Sequence, residues 1–478
     1  MVIKPVEHKS IPKAPTGIPG LDEITFGGLP AGRPTLVAGG PGSGKTLLGI
    51  SFLVEGAQRY GEPGVLLTFE EKAEELAADV RSLGFDLDQL VADGKLLIDY
   101  VHVERAEIEE TGEYDLEGLF VRLDHAIRQI GARRVMLDTI ETLFGGLQDS
   151  GILRAELRRL FRWLRDRQMT SIITAERGEN QFTRQGLEEY ITDAVIALDH
   201  RVEDQISTRR IRVVKYRGST HGTNEYPFLI SPDGINVLPV TSLMLEHEAP
   251  SERVSTGLRA LDDMLGGKGF YRASTVLLTG SAGTGKTTLA AHFVDAACAR
   301  GDKCLYFLFE ESPQQMLRNM ASAGIDLRRW ADNGLLRFSA ARPNRHGLEN
   351  HLLDMHVAVE VFDPQVVVVD PITNLMAVGT NTDVRSMLTR LIDFLKTRGI
   401  TALFASLTPG ADGDSTESLI SSLMDAWLLL GVDTIGEQRR RRLYVLKSRG
   451  IAHSEEVRTF RFSPRGIELL PPASTSGR

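Results

Sequence analysis

Two short stretches of this chain have the residue types and spacing needed to hold a polyphosphate. Gly39-Gly40-Pro41-Gly42-Ser43-Gly44-Lys45-Thr46 and Gly280-Ser281-Ala282-Gly283-Thr284-Gly285-Lys286-Thr287 both fit the pattern G-x-x-x-x-G-K-[ST]. Glycines let the backbone wrap so that its N–H groups point at phosphate oxygens, and the N-terminus of the following helix adds its dipole. Gly40, Gly42, Ser43 and Gly44, and likewise Ala282, Gly283, Thr284 and Gly285, are expected to supply those N–H groups. Lys45 and Lys286 are expected to reach the β- and γ-phosphates of ATP, with Thr46 and Thr287 on Mg2+.

Carboxylates occur where phosphate chemistry would use them. Asp138 ends the apolar run Val135-Met136-Leu137, and Asp370 ends Val366-Val367-Val368-Val369. An Asp at the tip of a buried strand downstream of a phosphate loop is the Walker B position, which holds Mg2+. Glu70-Glu71 and Glu310-Glu311 each follow a strand-like run ending in Phe. A carboxylate there could take the proton of an attacking water or hydroxyl beside the γ-phosphate, and two adjacent carboxylates raise each other's pKa. Lys215 and Arg217, with Lys447 and Arg449, form Lys-x-Arg pairs late in the chain. On a strand, both cations of such a pair share one face. Nothing nearby in sequence needs them, whereas the γ-phosphate of a neighbouring subunit would. That is the arginine-finger arrangement, and it predicts a ring.

The elements that must position these groups occur twice. Thr16-Gly17-Ile18-Pro19-Gly20-Leu21-Asp22 returns as Thr256-Gly257-Leu258-Arg259-Ala260-Leu261-Asp262 at an offset of 240. The glycine-rich loops are offset by 241, the Phe-Glu-Glu triplets by 240 and the Lys-x-Arg-Gly motifs by 232. Four landmarks in one order make the chain a tandem duplication, read as residues 1–245 and 246–478 with a polar joint around 241–252. In each half, unbroken apolar runs such as Val65–Phe69, Val135–Asp138 and Ser171–Thr174 alternate with helical stretches such as 116–130 and 152–168. Such runs belong to strands buried on both faces. The fold class is therefore α/β: two tandem nucleotide-binding P-loop domains with doubly wound, mostly parallel sheets, which resemble RecA-like P-loop NTPase domains.

Composition excludes several classes. The 478 residues are 42% hydrophobic and 25% charged, which is ordinary for a globular protein, and no apolar run approaches the roughly 20 residues of a membrane helix. The N-terminus lacks a signal-peptide core, and Cys298 and Cys304 can make neither a disulfide framework nor a four-ligand zinc site. A cytoplasmic location is expected. A net charge of −9 argues against bulk nucleic-acid binding. The main alternative, a RecA/DnaB-like DNA-acting ATPase, would need basic channel loops and aromatic stacking platforms. Its best basic candidate is Arg439-Arg440-Arg441-Arg442, placed by sequence at a hairpin turn. A scaffold whose ATP only cements an assembly is a further alternative, and the intact Glu pairs in both halves argue against it.

Taken together, the duplicated Thr-Gly-x-x-x-Leu-Asp openings, the two loops, the Phe-Glu-Glu triplets and the Lys-x-Arg-Gly motifs resemble the KaiC family of circadian-clock ATPases and autokinases. The resemblance covers roughly residues 12–470. It implies an ATP-dependent homohexamer of two stacked rings with ATP between subunits, a first domain that hydrolyses ATP, and a second that phosphorylates its own chain and reverses the reaction. It also implies further nucleotide contacts from Leu47, Ser82, Tyr216, Ser219 and His221, from Thr288, Arg441 and Ser448, and a Mg2+ role for Glu310. The family's phosphoacceptor stretch matches Thr416-Glu417-Ser418-Leu419-Ile420-Ser421-Ser422-Leu423-Met424-Asp425. Ser421 and Ser422 correspond to the acceptors, and Thr416 to the nearby hydroxyl that takes phosphate transiently. At the same place in the first half stand Glu189 and Tyr190, so the vicinal hydroxyls belong to the second copy only. Residues 112–117 resemble the segment around which a KaiB partner docks. Only 12 residues follow Gly466, shorter than the tail that KaiA engages, which argues against regulation by KaiA.

Overall fold

Both halves build their centre from the apolar runs, because a run with no polar alternation can be satisfied only when both of its faces are covered. In the computed structural model the described residues are 11–101, 116–143, 150–178, 192–203, 206–231, 234–239, 250–345, 347–408, 420–435, 438–464 and 466–471. They fall into two compact units, Met1–Val240 and Thr241–Arg478.

The first unit's main sheet contains β1 (Pro34–Gly39), β2 (Gly64–Thr68), β3 (Leu96–Tyr100), β4 (Arg134–Asp138), β5 (Thr170–Glu176), β6 (Ala194–Glu203), β7 (Ile206–Tyr216), β8 (Glu225–Ser231) and β9 (Gly234–Val237). Among the described residues these nine strands lie in the order β9-β8-β7-β6-β1-β5-β4-β2-β3. From β6 to β3 every pairing is parallel, and β7, β8 and β9 continue the sheet antiparallel. The second unit repeats this with β10 (Thr275–Gly280), β11 (Cys304–Leu308), β12 (Leu336–Ala340), β13 (Val366–Asp370), β14 (Thr401–Leu407), β15 (Ala426–Ile435), β16 (Gln438–Ser448), β17 (Arg458–Ser463) and β18 (Gly466–Leu469), in the order β12-β11-β13-β14-β10-β15-β16-β17-β18. The family of parallel strands is as the apolar runs predict. The antiparallel extension at one edge is additional, and Arg439–Arg442 lie within strand β16 rather than at a turn.

Helices Lys45–Arg59 and Lys286–Ala299 start directly from the glycine-rich loops. Their caps, Gly44 at φ 96° and Gly285 at φ 103°, adopt left-handed backbone that a β-carbon disfavours. A β-carbon at Gly44 would also stand 3.2 Å from Ile230 Cδ1, and one at Gly285 3.0 Å from Phe462 Cζ. The last glycine of each motif thus serves the turn as well as the ligand. The predicted helices over 116–130 and 152–168 are present as Glu117–Ile130 and Ser150–Asp166. Helix Lys45–Arg59 contributes Leu48, Phe52 and Leu53 to a buried cluster on one face of the first sheet, while helix Glu117–Ile130 supplies Phe120 and Leu123 on the other.

Candidate nucleotide site

Parallel pairing brings the C-terminal ends of the central strands together, which is where open α/β sheets bind ligands. In the first unit β1 delivers the phosphate loop there, β4 delivers Asp138, and β2 leads into Glu70 and Glu71. Thr46 Oγ1 donates to Asp138 Oδ2 at 2.9 Å, and Thr174 of β5 donates to Asp138 Oδ1. Burial pushes the Asp138 carboxyl up from its ordinary value, and these two hydroxyls act against that. Lys45 Nζ donates to the carbonyls of Gly39 and Gly40 at 2.8 and 3.0 Å, folded back on its own loop. Glu70 accepts from Thr142 Oγ1 at 2.8 Å. The Glu71 carboxyl is raised, chiefly by burial and then by Asp79 and Asp138, so its partner Glu70 is only a minor cause of the shift that the Glu pair predicts.

The second unit repeats the arrangement with different support. Lys286 Nζ donates to Gly280 O and Ser281 O at 2.8 and 2.9 Å, and burial holds its pKa below the usual value against the pull of Asp370 and Glu310. Burial also raises Asp370, opposed by hydrogen bonds from Tyr306 and Thr287. Tyr306 OH donates to Asp370 Oδ2 at 2.9 Å. Burial and the neighbouring carboxylate push the phenol well above its ordinary pKa, so it remains a donor. Tyr306 belongs to none of the motifs; its signal in the sequence is a lone hydroxyl in an apolar strand where the first half has Leu66. Glu311 accepts from Asn319 Nδ2 at 3.1 Å, whereas Glu71 faces Asp79. In both units a threonine hydroxyl and a buried carboxylate meet at the foot of the phosphate loop. Hard oxygen donors of this kind fit Mg2+, which is bound through one or two carboxylates plus substrate phosphates.

The remaining predicted residues divide between the two ends of the sheet. Leu47 and Thr288 are buried in the first turns of their helices, and Thr284 Oγ1 donates to Ser281 O within the loop. Arg441 lies beside its own loop, with Nε 3.5 Å from Gly283 O and its guanidinium 4.5 Å from the Phe462 ring centroid. Ser82 caps helix Ala73–Arg81 at the surface. Tyr216 is turned into the core, where its hydroxyl donates to Gly28 O at 3.0 Å and burial pushes its pKa up to about 12. Ser219 donates to Thr220 O, His221 Nδ1 lies 2.9 Å from Gly222 O, and Ser448 is buried.

The Lys-x-Arg pairs sit at the opposite end from the phosphate loops. β16 runs antiparallel to β15, so Lys447 stands opposite Trp427 near the start of β15, and Ala426 is in register with Val276 near the start of β10. The loop leaves the other end of β10, roughly 17 Å away for six residues at about 3.3 Å each. The strands stop at Tyr216 and Ser448, so Arg217 and Arg449 lie on the turns beyond and do not share a strand face with the lysines. In each ladder a β-bulge precedes the lysine: Val214 and Leu446 have no opposite residue. The cations also have partners in their own chain. Lys215 Nζ donates to Thr192 O at 2.8 Å, Lys447 Nζ to Ser421 O at 2.9 Å, and Arg449 Nη2 to Ser422 O at 2.8 Å.

Ser421 and Ser422 therefore lie at that same far end, on the turn that enters β15, with Ser422 exposed. Asp425 anchors the turn: it accepts from the N–H and hydroxyl of Thr275 at 2.9 Å each and pairs with Lys396 at 2.8 Å. Burial alone would raise its pKa, but Lys396 and Thr275 outweigh it and hold the carboxyl below the usual value. Thr416, Glu189, Tyr190 and residues 112–115 lie outside the described residues.

The family model for the KaiC ATPase matches residues 14–242 and again 254–474. The chain belongs to the KaiC family. A circadian clock protein KaiC2 of Synechocystis is 55% identical to it over 464 residues, covering 96% of this chain and 82% of the relative. A circadian clock oscillator protein KaiC of Synechococcus elongatus is 37% identical over 467 residues, covering 97% and 90%. A circadian clock protein KaiC3 of Synechocystis is 38% identical over 473 residues, covering 98% and 93%. The two phosphate loops are thus those of a doubled KaiC ATPase. Among the described residues no helix is long and apolar enough to cross a membrane.

Proposed function

We propose that this KaiC-family ATPase is a cytoplasmic, ATP-dependent homohexamer that hydrolyses ATP in its first domain and phosphorylates Ser421 and Ser422 in its second, serving as a timer or clock-type signalling protein. The observation that carries this reading is the separation within one chain: both serines, Lys447 and Arg449 are gathered at the end of β10 remote from its own phosphate loop. A hydroxyl so placed takes phosphate from the loop of a neighbouring subunit, and a closed ring gives every subunit such a neighbour. The net charge of −9 and the resemblance of residues 112–117 to the segment around which a KaiB partner docks agree with signalling rather than nucleic-acid work.

In this mechanism the loop N–H groups and Lys286 bind the β- and γ-phosphates, and Thr287 and Asp370, with Glu310 beside them, hold Mg2+. Bound there, the cation would supply charge neutralisation for the phosphates. The serine Oγ attacks the γ-phosphorus, the new O–P bond forms as the bond to the β–γ bridging oxygen breaks, and ADP leaves with that electron pair. The serine proton passes to Glu310 or Glu311, which follow β11 just past Leu308, the residue opposite Asp370. In the first domain Lys45, Thr46 and Asp138 take the corresponding places, and water is the nucleophile with Glu70 or Glu71 as base. Lys447 and Arg449, and Lys215 and Arg217, stabilise the γ-phosphate from the adjoining subunit.

Incubation of the purified chain with Mg-ATP should add phosphate to Ser421 and Ser422, read by time-resolved phosphosite mapping. No phosphate, or phosphate only outside residues 416–422, would falsify the autokinase reading. An ATP-dependent mass other than that of six chains would remove the ring.

A further inference from the structure

The two Walker B aspartates are held from opposite sides, and the difference is written into one strand. In the first unit Asp138 of β4 receives its second hydrogen bond from Thr174 on β5. In the second unit the extra donor comes from the other flank, because Tyr306 on β11 reaches Asp370 of β13 at 2.9 Å. The register explains the reach. Tyr306 stands opposite Val368, and Asp370 is two residues further along the same face of the neighbouring strand. The first half has Leu66 at this position, and the second half has Ala405, which carries no hydroxyl, where the first has Thr174. Tyr306 is completely buried, with its ring tilted against Phe338 at 5.9 Å, so the phenol has little rotational freedom.

Resting on the reading of Asp370 as a Mg2+ ligand, we infer that Tyr306 is a positioning residue that fixes the Asp370 carboxylate for Mg2+-ATP, giving the second site a cation requirement set separately from the first. A carboxylate offers about four lone-pair sites, and without a second donor it can rotate away from the cation while still accepting from Thr287. Partners that orient a metal ligand in this way typically account for roughly 10–100-fold in metal affinity. Tyr306 is carried by β11, the strand that runs into Glu310 and Glu311, so the same element sets both the carboxylate and the proposed bases. The first unit's β2 carries no such hydroxyl at that position, so Asp138 is oriented independently of Glu70 and Glu71.

The test uses the full chain carrying Lys45→Ala, so that binding of a fluorescent N-methylanthraniloyl-ATP reports on the second site. The Mg2+ concentration giving half-maximal binding is compared for Tyr306 and Tyr306→Phe, a change that keeps the ring and its packing. The expected result is a rise of about tenfold or more, with binding in EDTA unchanged. Adding Ala405→Thr to Tyr306→Phe, which rebuilds the support seen around Asp138, should bring the Mg2+ midpoint back toward the starting value. An unchanged midpoint in Tyr306→Phe, whatever happens to thermal stability, overturns the inference, because a merely structural tyrosine would not move it. Asp370→Asn separates the two levels. If it shifts the midpoint and Tyr306→Phe does not, only the role of Tyr306 fails. If it leaves the midpoint unmoved, Asp370 is not the cation ligand and both fall.

Discussion

Lys286→Ala lowers phosphate incorporation at Ser421 and Ser422 by at least about a hundredfold, the size of effect found when one donor to developing charge is removed, while ATP turnover by the first domain continues. Lys286 is the buried cation at the second phosphate loop, and it now rests on Gly280 O and Ser281 O. Those two carbonyls belong to the loop itself, so the lysine is poised at the phosphate position and ATP has only to exchange one set of oxygens for another. The compact unit 241–478 contains every residue assigned to the second loop, so damage there has no covalent reason to reach Lys45. The check is intact-mass phosphate incorporation alongside ADP release, with Lys45→Ala as the reciprocal variant. Simultaneous loss of both activities in Lys286→Ala would mean that the two sites work as one and would contradict the division of labour proposed above.

Arg134→Ala costs about 3 kcal/mol of stability, confined to the first unit. Arg134 begins β4 with no exposed surface, an unusual place for a guanidinium. Its nitrogens are divided among Glu62 Oε2 at 2.7 Å, Phe52 O at 2.7 Å and Pro15 O at 2.8 Å, and its plane lies 4.3 Å from the Phe52 ring centroid. One side chain thus ties the N-terminal segment, helix Lys45–Arg59 and the loop before β2 to the sheet. Alanine leaves a cavity and removes the side-chain donor to Pro15 O, whereas Glu62 can turn toward water because it is partly exposed. Arg134→Met, which keeps most of the volume, should therefore lose less. In the second half the equivalent position is Val366, so pulse proteolysis should show earlier cleavage within residues 11–240 and none of that change within 250–471. Equal destabilisation of both units would sink the argument.

The chemistry was legible in the sequence where it is contiguous. A phosphate loop needs eight adjacent residues, and an Asp or a Glu pair at the end of an apolar run is placed by the run itself, so Lys45, Asp138, Glu310 and their counterparts could be assigned before any fold was known. What escaped was whatever depends on which strand lies beside which. Tyr306 touches Asp370, and Thr174 touches Asp138, only because β13 sits between β11 and β14, and β4 between β2 and β5. The same holds for Lys447 and Arg449. Sequence showed a strand with two cations and no local use for them, but their grip on the carbonyls of Ser421 and Ser422 follows from the antiparallel return of β16 along β15. The bulges at Val214 and Leu446 were hidden for another reason: a single unpaired residue changes the parity of the alternation without changing its composition.

The sheet order also dictates when, during synthesis, an active loop can exist. β1 emerges early, yet its two neighbours are β5 and β6, so Thr35 waits for Ile172 and Ala194 before its ladder is complete. The ribosome must have passed most of the first unit before Lys45 can be presented on a finished scaffold, and the same interval recurs before β10 receives β14 and β15. Because unit one closes at Val240, its loop can be complete while the strands that will carry Lys286 and the two serines have yet to be made. Each new chain can thus finish its first phosphate loop before it possesses the two serines proposed above as acceptors.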